Sequence, residues 1–464
     1  MRRTDPAGHG PVRYGPPLPD HGLPPPPGLA AAARGAHTEP AGGGPALLDA
    51  ARGYWARRGL PAGRDRTVAA PGAPALLLAL TAALGGDVLV PRPCAAWWAP
   101  QARLLGSSVF PVATPVECGG LPDPYALLET VRRVRAEGGD PRLVVLSVAD
   151  DPAATVAPPE VVHETMEAAA GEGLHVVSDE TWRDTLHEPR DTVLLSPAEM
   201  LPERVTVLAD LSGPFLPVGW PAAVARFPDG DTGGRLRERV LDVLTALGAR
   251  VAAPVAAAAA YALGEPDEIT HRLAGSVRLH AQVAAAAHRT LVAAGALVRP
   301  PRAGRHLYAD LDPLRPALGA LGVGDAQDLE DLLTVRLGMP APGGHRFGDD
   351  LGALRVRLAT GPFLGTTDDE RMTSLLSPEP LELPQVAGAL GLLRSVFDDL
   401  RDGHDDGHDD GHDGHGHDDG DAHGDAHGDA HGDAHGDAHG DAHDDACGDA
   451  HEDAYDARRR ESPR

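Results

Sequence analysis

The chain has 464 residues, of which 42% are hydrophobic and 4% aromatic, and its formal net charge is −27. This hydrophobic content is ordinary for a globular protein, and the scarcity of aromatic residues leaves core packing to aliphatic side chains. The strongly negative charge argues against binding to nucleic acid or to an anionic membrane surface. The most apolar run, residues 251–263, is too short for a membrane span and is predicted to be a buried helix.

Two features of the composition bear on chemistry. The three cysteines, Cys94, Cys118 and Cys447, are an odd and sparse set. Such a set predicts a cytoplasmic protein in a reducing environment, without a disulfide framework. The chain contains no lysine. A GC-rich genome explains why lysine would be rare, but a chain without lysine also has no side-chain primary amine.

Residues 1–45 are rich in proline and glycine, which predicts an extended arm draped over the core. Residues 46–294 are predicted to form a large α/β domain. From about 65 to 230, apolar runs alternate with amphipathic stretches, which predicts a mostly parallel central sheet covered by helices. Within this domain, 233–294 is predicted to be almost wholly helical, with an interruption at 264–266. The predicted strands are 87–90, 142–148, 174–177 and 205–208, and the predicted helices between them are 72–84, 96–106, 124–137 and 159–172.

The remaining chain predicts a small α+β C-terminal domain at 295–400 and a disordered tail at 401–464. The small domain is expected to have strands at 305–311 and 354–358, a helix at 325–337 and a last helix at about 384–400. The tail consists of Gly, His and Asp repeats, whose low hydrophobicity cannot offset the entropy of ordering.

Several polar segments follow the predicted strands. They include Asp151–Val156, Ser178–Trp182 and Ser212–Pro221. Because the carboxyl ends of parallel strands meet at one edge of a sheet, these segments are expected to converge on one crevice. Together with Pro71–Leu76 and Leu354–Arg357, they resemble in order and spacing the motifs of class I/II aminotransferases. That family consists of fold-type-I enzymes that use pyridoxal phosphate (PLP).

The resemblance covers roughly residues 30–400 and implies an α/β aminotransferase-like fold with a PLP site. The residues that match the family's cofactor-binding positions are Gly72, Ala73, Asp151, Asp179, Trp182, Ser212, Gly213 and Arg355. Gly213 stands where the family has its Schiff-base lysine, and Pro221 stands where it has the arginine that binds the phosphate. Losing about three charge-assisted hydrogen bonds as well as the covalent link would weaken PLP binding by roughly 10³ to 10⁶.

Some of these residues have simpler interpretations. Asp179 could cap a turn at a strand end, and Arg355 could form a surface ion pair. Arg355 is the first match to the family's substrate-carboxylate arginine, and Arg357 is the second. His306 and Tyr308 share one strand face, so they either line the same cleft or pack in the core with polar tips.

The tail carries twelve histidines, and imidazole with carboxylate suits Zn, Ni, Co or Cu. The predicted metal ligands are His404, His408, His412, His415, His417, His423, His427, His431, His435, His439, His443 and His451. Incidental repeat expansion and a pH-sensitive charged tail are the alternatives.

Three functions follow from these patterns. The preferred one is a non-catalytic aminotransferase homologue with a ligand-binding, regulatory or partner-subunit role. It is expected to form a homodimer or a heterodimer with an active paralogue. The second is an aminotransferase of amino-acid metabolism that holds PLP non-covalently. The third is metal storage through the tail. No nucleic-acid or membrane partner is expected.

Overall fold

A seven-stranded sheet forms the centre of the structure, a computed structural model that describes residues 12–18, 22–35 and 38–405. Its strands are β1 (Thr67–Ala70), β2 (Asp87–Arg92), β3 (Val109–Ala113), β4 (Pro141–Ser147), β5 (His175–Asp179), β6 (Val205–Asp210) and β7 (Ala223–Arg226). They lie in the order β1-β7-β6-β5-β4-β2-β3. The strands from β6 to β3 are mutually parallel, and only β7 pairs antiparallel to its neighbours β1 and β6. The predicted mostly parallel sheet is confirmed.

Both faces of this sheet are buried. Successive residues of each strand point to opposite sides, so neighbouring residues belong to different apolar clusters. Val144 and Val176 belong to one apolar cluster, and Leu143 and Val177 belong to another. The helices that accompany the sheet are α1 (Pro27–Ala32), α2 (Pro45–Arg57), α3 (Ala73–Leu84), α4 (Trp98–Leu104), α5 (Pro124–Ala136), α6 (Pro159–Gly171), α7 (Pro197–Met200), α8 (Gly230–Ala246), α9 (Ala253–Leu263) and α10 (Asp267–Ala293). α2 packs on α9, and α3 packs on α8.

A second sheet has three antiparallel strands, β8 (Leu297–Val298), β9 (His306–Asp310) and β10 (Arg355–Ala359), in the order β10-β9-β8. Four helices accompany it: α11 (Arg315–Ala320), α12 (Ala326–Leu337), α13 (Asp368–Leu376) and α14 (Pro384–Asp405). Its apolar cluster includes residues of α10, such as Val283 and Leu291. This is the α+β architecture expected for residues 295–400, although the domain boundaries themselves remain a prediction.

Short 3₁₀ turns complete the secondary structure. They are Ala33–Gly35, Arg64–Arg66, Val116–Cys118, Arg183–Thr185, Asp312–Leu314, Gly344–Phe347, Gly361–Leu364 and Pro380–Glu382. Within the part of the chain that the structure describes, no helix is both long and apolar enough to cross a bilayer.

The structure corrects the sequence prediction at three places. The N-terminal arm contains helix α1, because Pro27 at its first position has a backbone already suited to a helix start. The stretch 233–294 breaks between α8 and α9 as well as near 264–266, since Gly248 has a φ of 62° and Pro254 fits only a first helical turn. Finally, α14 continues to Asp405, past the expected start of the tail at residue 401.

Candidate functional site

Acidic residues follow or end three adjacent parallel strands. Asp151 follows β4, Asp179 ends β5 and Asp210 ends β6. The register places Ser147 of β4 beside Asp179, and Asp179 beside Leu208 of β6. These strand ends meet at one edge of the sheet, where open α/β folds bind ligands.

Asp179 is buried beneath this edge, with 6% of its surface exposed. One carboxylate oxygen accepts hydrogen bonds from the backbone N–H and the hydroxyl of Thr181, at 3.1 and 2.6 Å, and the other accepts from Trp98 Nε1 at 3.3 Å. Burial raises the pKa of Asp179 to about 7, although these donors oppose the rise. Its carboxyl group is therefore held by residues of its own chain.

Asp210 occupies the N-terminus of α3. Its Oδ2 accepts a hydrogen bond from the Ala73 backbone N–H at 2.8 Å, and its Oδ1 accepts one from the Ser212 N–H at 2.8 Å. Gly72, which precedes the helix, has a φ of 95°. A helix N-terminus attracts anions through its free N–H groups and its dipole. In this chain a side-chain carboxylate already fills that position, while burial raises the pKa of Asp210 to about 6.

The same region links Asp210 to Asp179. The Thr181 hydroxyl donates to Asp179 and accepts a hydrogen bond from the Asp210 backbone N–H at 3.0 Å. The charge on Asp210 also contributes to the raised pKa of Asp179. One threonine thus connects the carboxylate of Asp179 to the backbone of Asp210.

Arg357 of β10 reaches Asp151. Its Nη1 donates to Asp151 Oδ1 at 2.8 Å, and its guanidinium lies over the Phe347 ring, 4.7 Å from the ring centre. Burial would raise the pKa of Asp151, but the Arg357 charge and hydrogen bond hold it below its ordinary value. Both side chains are largely buried, with 11% and 17% exposed. The guanidinium is therefore neutralised within the chain.

Gly213 and Trp182 face each other. Gly213 has a φ of 102°, and a Cβ added there would lie 3.8 Å from Trp182 Cη2, which is ordinary contact. The Trp182 ring meets the edge of His306 with ring centres 5.3 Å apart. Burial lowers the pKa of His306 to about 3, so this imidazole is neutral at physiological pH.

These residues line a cavity of about 280 Å³, which we call the strand-end crevice. Its walls include Asp151, Trp182, Asp210, Ser212, Gly213, His280, His306 and Arg357, and Pro16, Pro17 and Leu18 of the N-terminal arm close one side. His280 is buried, and its Nδ1 lies 2.7 Å from the Thr360 hydroxyl. Among the described residues, its Nε2 has no hydrogen-bond partner.

The structure brings most of the predicted site together. The strand-end crevice is lined by Asp151, Trp182, Ser212 and Gly213. Ala73 contacts it through the hydrogen bond to Asp210, and Gly72 lies beside the same carboxylate. The sequence prediction missed Asp210, His280 and the arm residues. Asp210 could have been found by applying the strand-end rule to β6 as it was applied to β5.

Arg355 lies elsewhere. Its guanidinium is held by Asp310 and Asp349, each at 3.0 Å, and it lines a different cavity. Tyr308 lines that second cavity too, and its hydroxyl donates to Asp349 at 2.6 Å. Of the two arginines considered from the sequence, Arg357 is the one at the strand-end crevice.

The histidines predicted as metal ligands, from His404 to His451, have side chains outside the described residues. Within the described ranges, no group of three or more His, Cys, Asp or Glu side chains could hold a metal ion. Cys94 and Cys118, which are described, are buried and free.

Comparison with known proteins defines the class. Residues 30–361 match the family model for aminotransferase class I and II, so the chain belongs to that family. Among solved structures, Thermus thermophilus aspartate aminotransferase with maleate superposes with a TM-score of 0.64 at 19% identity, covering 83% of this chain and 90% of that one. The aromatic aminotransferase from Pyrococcus horikoshii OT3 has a TM-score of 0.64 at 17% identity, covering 83% of this chain and 94% of that one. Among curated proteins, none matches.

Proposed function

We propose that this chain is a non-catalytic member of the aminotransferase family, with a strand-end crevice that no longer holds PLP. The observation that carries the proposal is the position of Asp210, whose carboxylate occupies the N-terminus of α3. The resemblance assigns that helix start to the phosphate of the coenzyme. The chain also has no lysine to bond with the coenzyme's aldehyde.

The charges in the crevice oppose a dianionic phosphate. With a pKa of about 6, Asp210 is mostly ionised at neutral pH. At an effective dielectric of about 20, two like unit charges 4 Å apart repel by about 4 kcal/mol. Pro74, in the first turn of α3, and Pro221 contribute no N–H groups that could offset this repulsion. PLP therefore does not fit the residues present.

Arg357 offers little compensation. Its Nη1 is already committed to Asp151, so a ligand carboxylate would have to displace a buried carboxylate of the protein. Arginine also cannot replace the missing lysine, because the guanidinium stays protonated and is a poor nucleophile. These features disfavour the alternative of an aminotransferase that holds PLP non-covalently.

The proposal leaves a binding, regulatory or partner-subunit role. Aminotransferases of this family build their sites across a dimer interface, so a homodimer, or a heterodimer with an active paralogue, is the partnership we propose. We also propose a cytoplasmic location, which the buried free thiols Cys94 and Cys118 support. Metal storage through the histidine tail remains a prediction.

The test is chemical. The full chain is incubated with excess PLP, reduced with borohydride, digested and weighed peptide by peptide. We expect no pyridoxyl adduct other than one on the terminal α-amino group, and no absorbance band from bound coenzyme. An adduct within residues 30–361, or turnover of an amino acid and a keto acid with added PLP, would contradict the proposal.

A further inference from the structure

A second cavity, of about 620 Å³, lies beyond the strand-end crevice. We call it the Arg299 cavity. It is bounded by residues that follow or end β2, β3 and β4 and by the small sheet, and it shares no lining residue with the strand-end crevice. Its volume falls within the range of small-molecule sites.

Asp150 forms one polar wall of the Arg299 cavity. Only 3% of its surface is exposed, and its Oδ2 accepts a hydrogen bond from the Ala153 N–H at 2.9 Å. Its Oδ1 has no partner within the described residues. Gly120, with a φ of 108°, packs so closely that an added Cβ would lie 2.6 Å from the Asp150 Cβ. The side chain is therefore fixed in place with one acceptor unused, which is costly in a buried site.

Arg299 supplies the opposite charge. It lines the same cavity and is half-buried, yet its side chain forms no hydrogen bond or ion pair with any part of the chain that the structure describes. Burial raises the pKa of Asp150 to about 8, and the positive charge of Arg299 opposes that rise. A cationic group bound beside Asp150 would likewise favour its ionised form. They are nevertheless not in contact. The other arginines of this cavity are occupied: Arg355 by two carboxylates and Arg92 by Asp350.

The remaining wall is apolar and open to solvent. Val116, Val292 and Leu297 line the cavity and are 68%, 47% and 64% exposed. Contiguous exposed apolar side chains beside convergent polar groups are characteristic of ligand sites. An occupant with an apolar body would cover them.

We propose that the Arg299 cavity binds a free α-amino acid with a large apolar side chain. The carboxylate of the ligand pairs with Arg299, and its ammonium group donates to Asp150 Oδ1. The side chain of the ligand covers Val116, Val292 and Leu297. A zwitterion carries both of the charges that Arg299 and an ionised Asp150 would pair with. A phosphate would meet the Asp150 carboxylate, and a monocarboxylic acid would leave Asp150 Oδ1 without a donor.

This site shares no lining residue with the strand-end crevice, so the proposal stands even if the proposed function fails. The probes are L-phenylalanine, hydrocinnamate, which lacks only the amino group, and phenylalaninamide, which lacks the carboxylate. By calorimetry with the full chain, we expect phenylalanine to bind and each analogue to bind at least about tenfold more weakly. The absence of phenylalanine binding at about 10 mM, or equal binding of hydrocinnamate, overturns the proposal.

Three variants locate the ligand. Arg299→Gln is expected to weaken phenylalanine binding at least about tenfold, whereas Arg302→Gln, an exposed arginine on the same loop, leaves it unchanged. Asp150→Asn is expected to weaken phenylalanine but not hydrocinnamate, because the amide can keep the Ala153 contact while presenting a donor to the cavity. Circular dichroism melts verify folding. Unchanged binding in Arg299→Gln places the ligand elsewhere and overturns the proposal.

Discussion

The two cavities differ in how their charges are satisfied. In the strand-end crevice, Asp210 is bound by two backbone N–H groups and Arg357 is paired with Asp151. In the Arg299 cavity, Asp150 keeps a buried oxygen without a partner in the described structure, and the Arg299 guanidinium forms no hydrogen bond or ion pair with the described residues. Asp210 and Arg357 are thus satisfied largely within the chain, although Arg357 Nε and His280 Nε2 have no partner among the described residues. In the Arg299 cavity, a carboxylate oxygen and a guanidinium are both left for a ligand to pair with. The two cavities therefore differ in whether their opposite charges are already paired with each other, and not in their position beside strand ends.

The largest expected effect comes from reopening the strand-end crevice. Gly213→Lys alone restores an amine, and the 3.8 Å to Trp182 leaves room for its Cβ, although the positive φ strains it. We expect little PLP binding by this variant, because Asp210 still occupies the α3 N-terminus. Adding Asp210→Ser should strengthen PLP binding by at least about 100-fold, or roughly 3 kcal/mol. Absorbance titration and borohydride trapping measure it.

Equal PLP affinity in Gly213→Lys and in the variant that carries both substitutions would show that Asp210 does not block the binding of an anion at the N-terminus of α3. Asp210→Ser without the lysine is the matched control. It should give no covalent adduct in the body of the protein.

Neighbouring aspartates should respond in opposite directions. Asp151→Asn leaves the buried Arg357 without its ionic partner, and we expect it to lower the free energy of unfolding by about 3 kcal/mol. Asp150→Asn removes a carboxyl group that burial disfavours, and we expect it to raise that free energy by about 1 kcal/mol at pH 7. Urea unfolding of both variants at one pH provides the measurement. A loss of stability in both would contradict the contrast between the cavities.

A smaller effect concerns pH. The folded-state pKa of Asp179, about 7, exceeds its ordinary value of 3.8, so the folded protein holds a proton that the unfolded chain releases. The contribution of this proton to the free energy of unfolding is fully present below about pH 4 and is lost as the pH rises through 7. From pH 5 to pH 8, the wild type should therefore lose roughly 2–3 kcal/mol more stability than Asp179→Asn. Urea unfolding of both proteins at pH 5 and at pH 8 provides the measurement. An equal loss of unfolding free energy in the wild type and in Asp179→Asn would mean that Asp179 is not the titrating group.

Periodicity predicted the central fold because buried parallel strands form continuous apolar runs. The predicted strands at 142–148 and 205–208 correspond to β4 and β6 within a few residues. The strands it missed are short or interrupted: β1 has four residues, β3 contains Pro111, and β7 ends in Arg226. In those segments pairing with neighbouring strands, rather than local pattern, determines the conformation.

The candidate site was predictable only in part. Strand-end position identified Asp151 and Asp179, but it could not show that Asp210 would turn onto α3, since that contact joins residues 137 positions apart. Spacing along β10 did not separate Arg355 from Arg357 either. Their partners, Asp310 and Asp349 for one and Asp151 for the other, come from distant segments.

Asp150 and Asp151 belong to different cavities although a single peptide bond joins them. Rotation of that peptide to follow an occupant on one side would therefore carry the carboxylate that anchors Arg357 on the other. The loop after β4 is therefore a wall that the strand-end crevice and the Arg299 cavity share. If this loop moved when a ligand filled one cavity, the shape of the other would change as well.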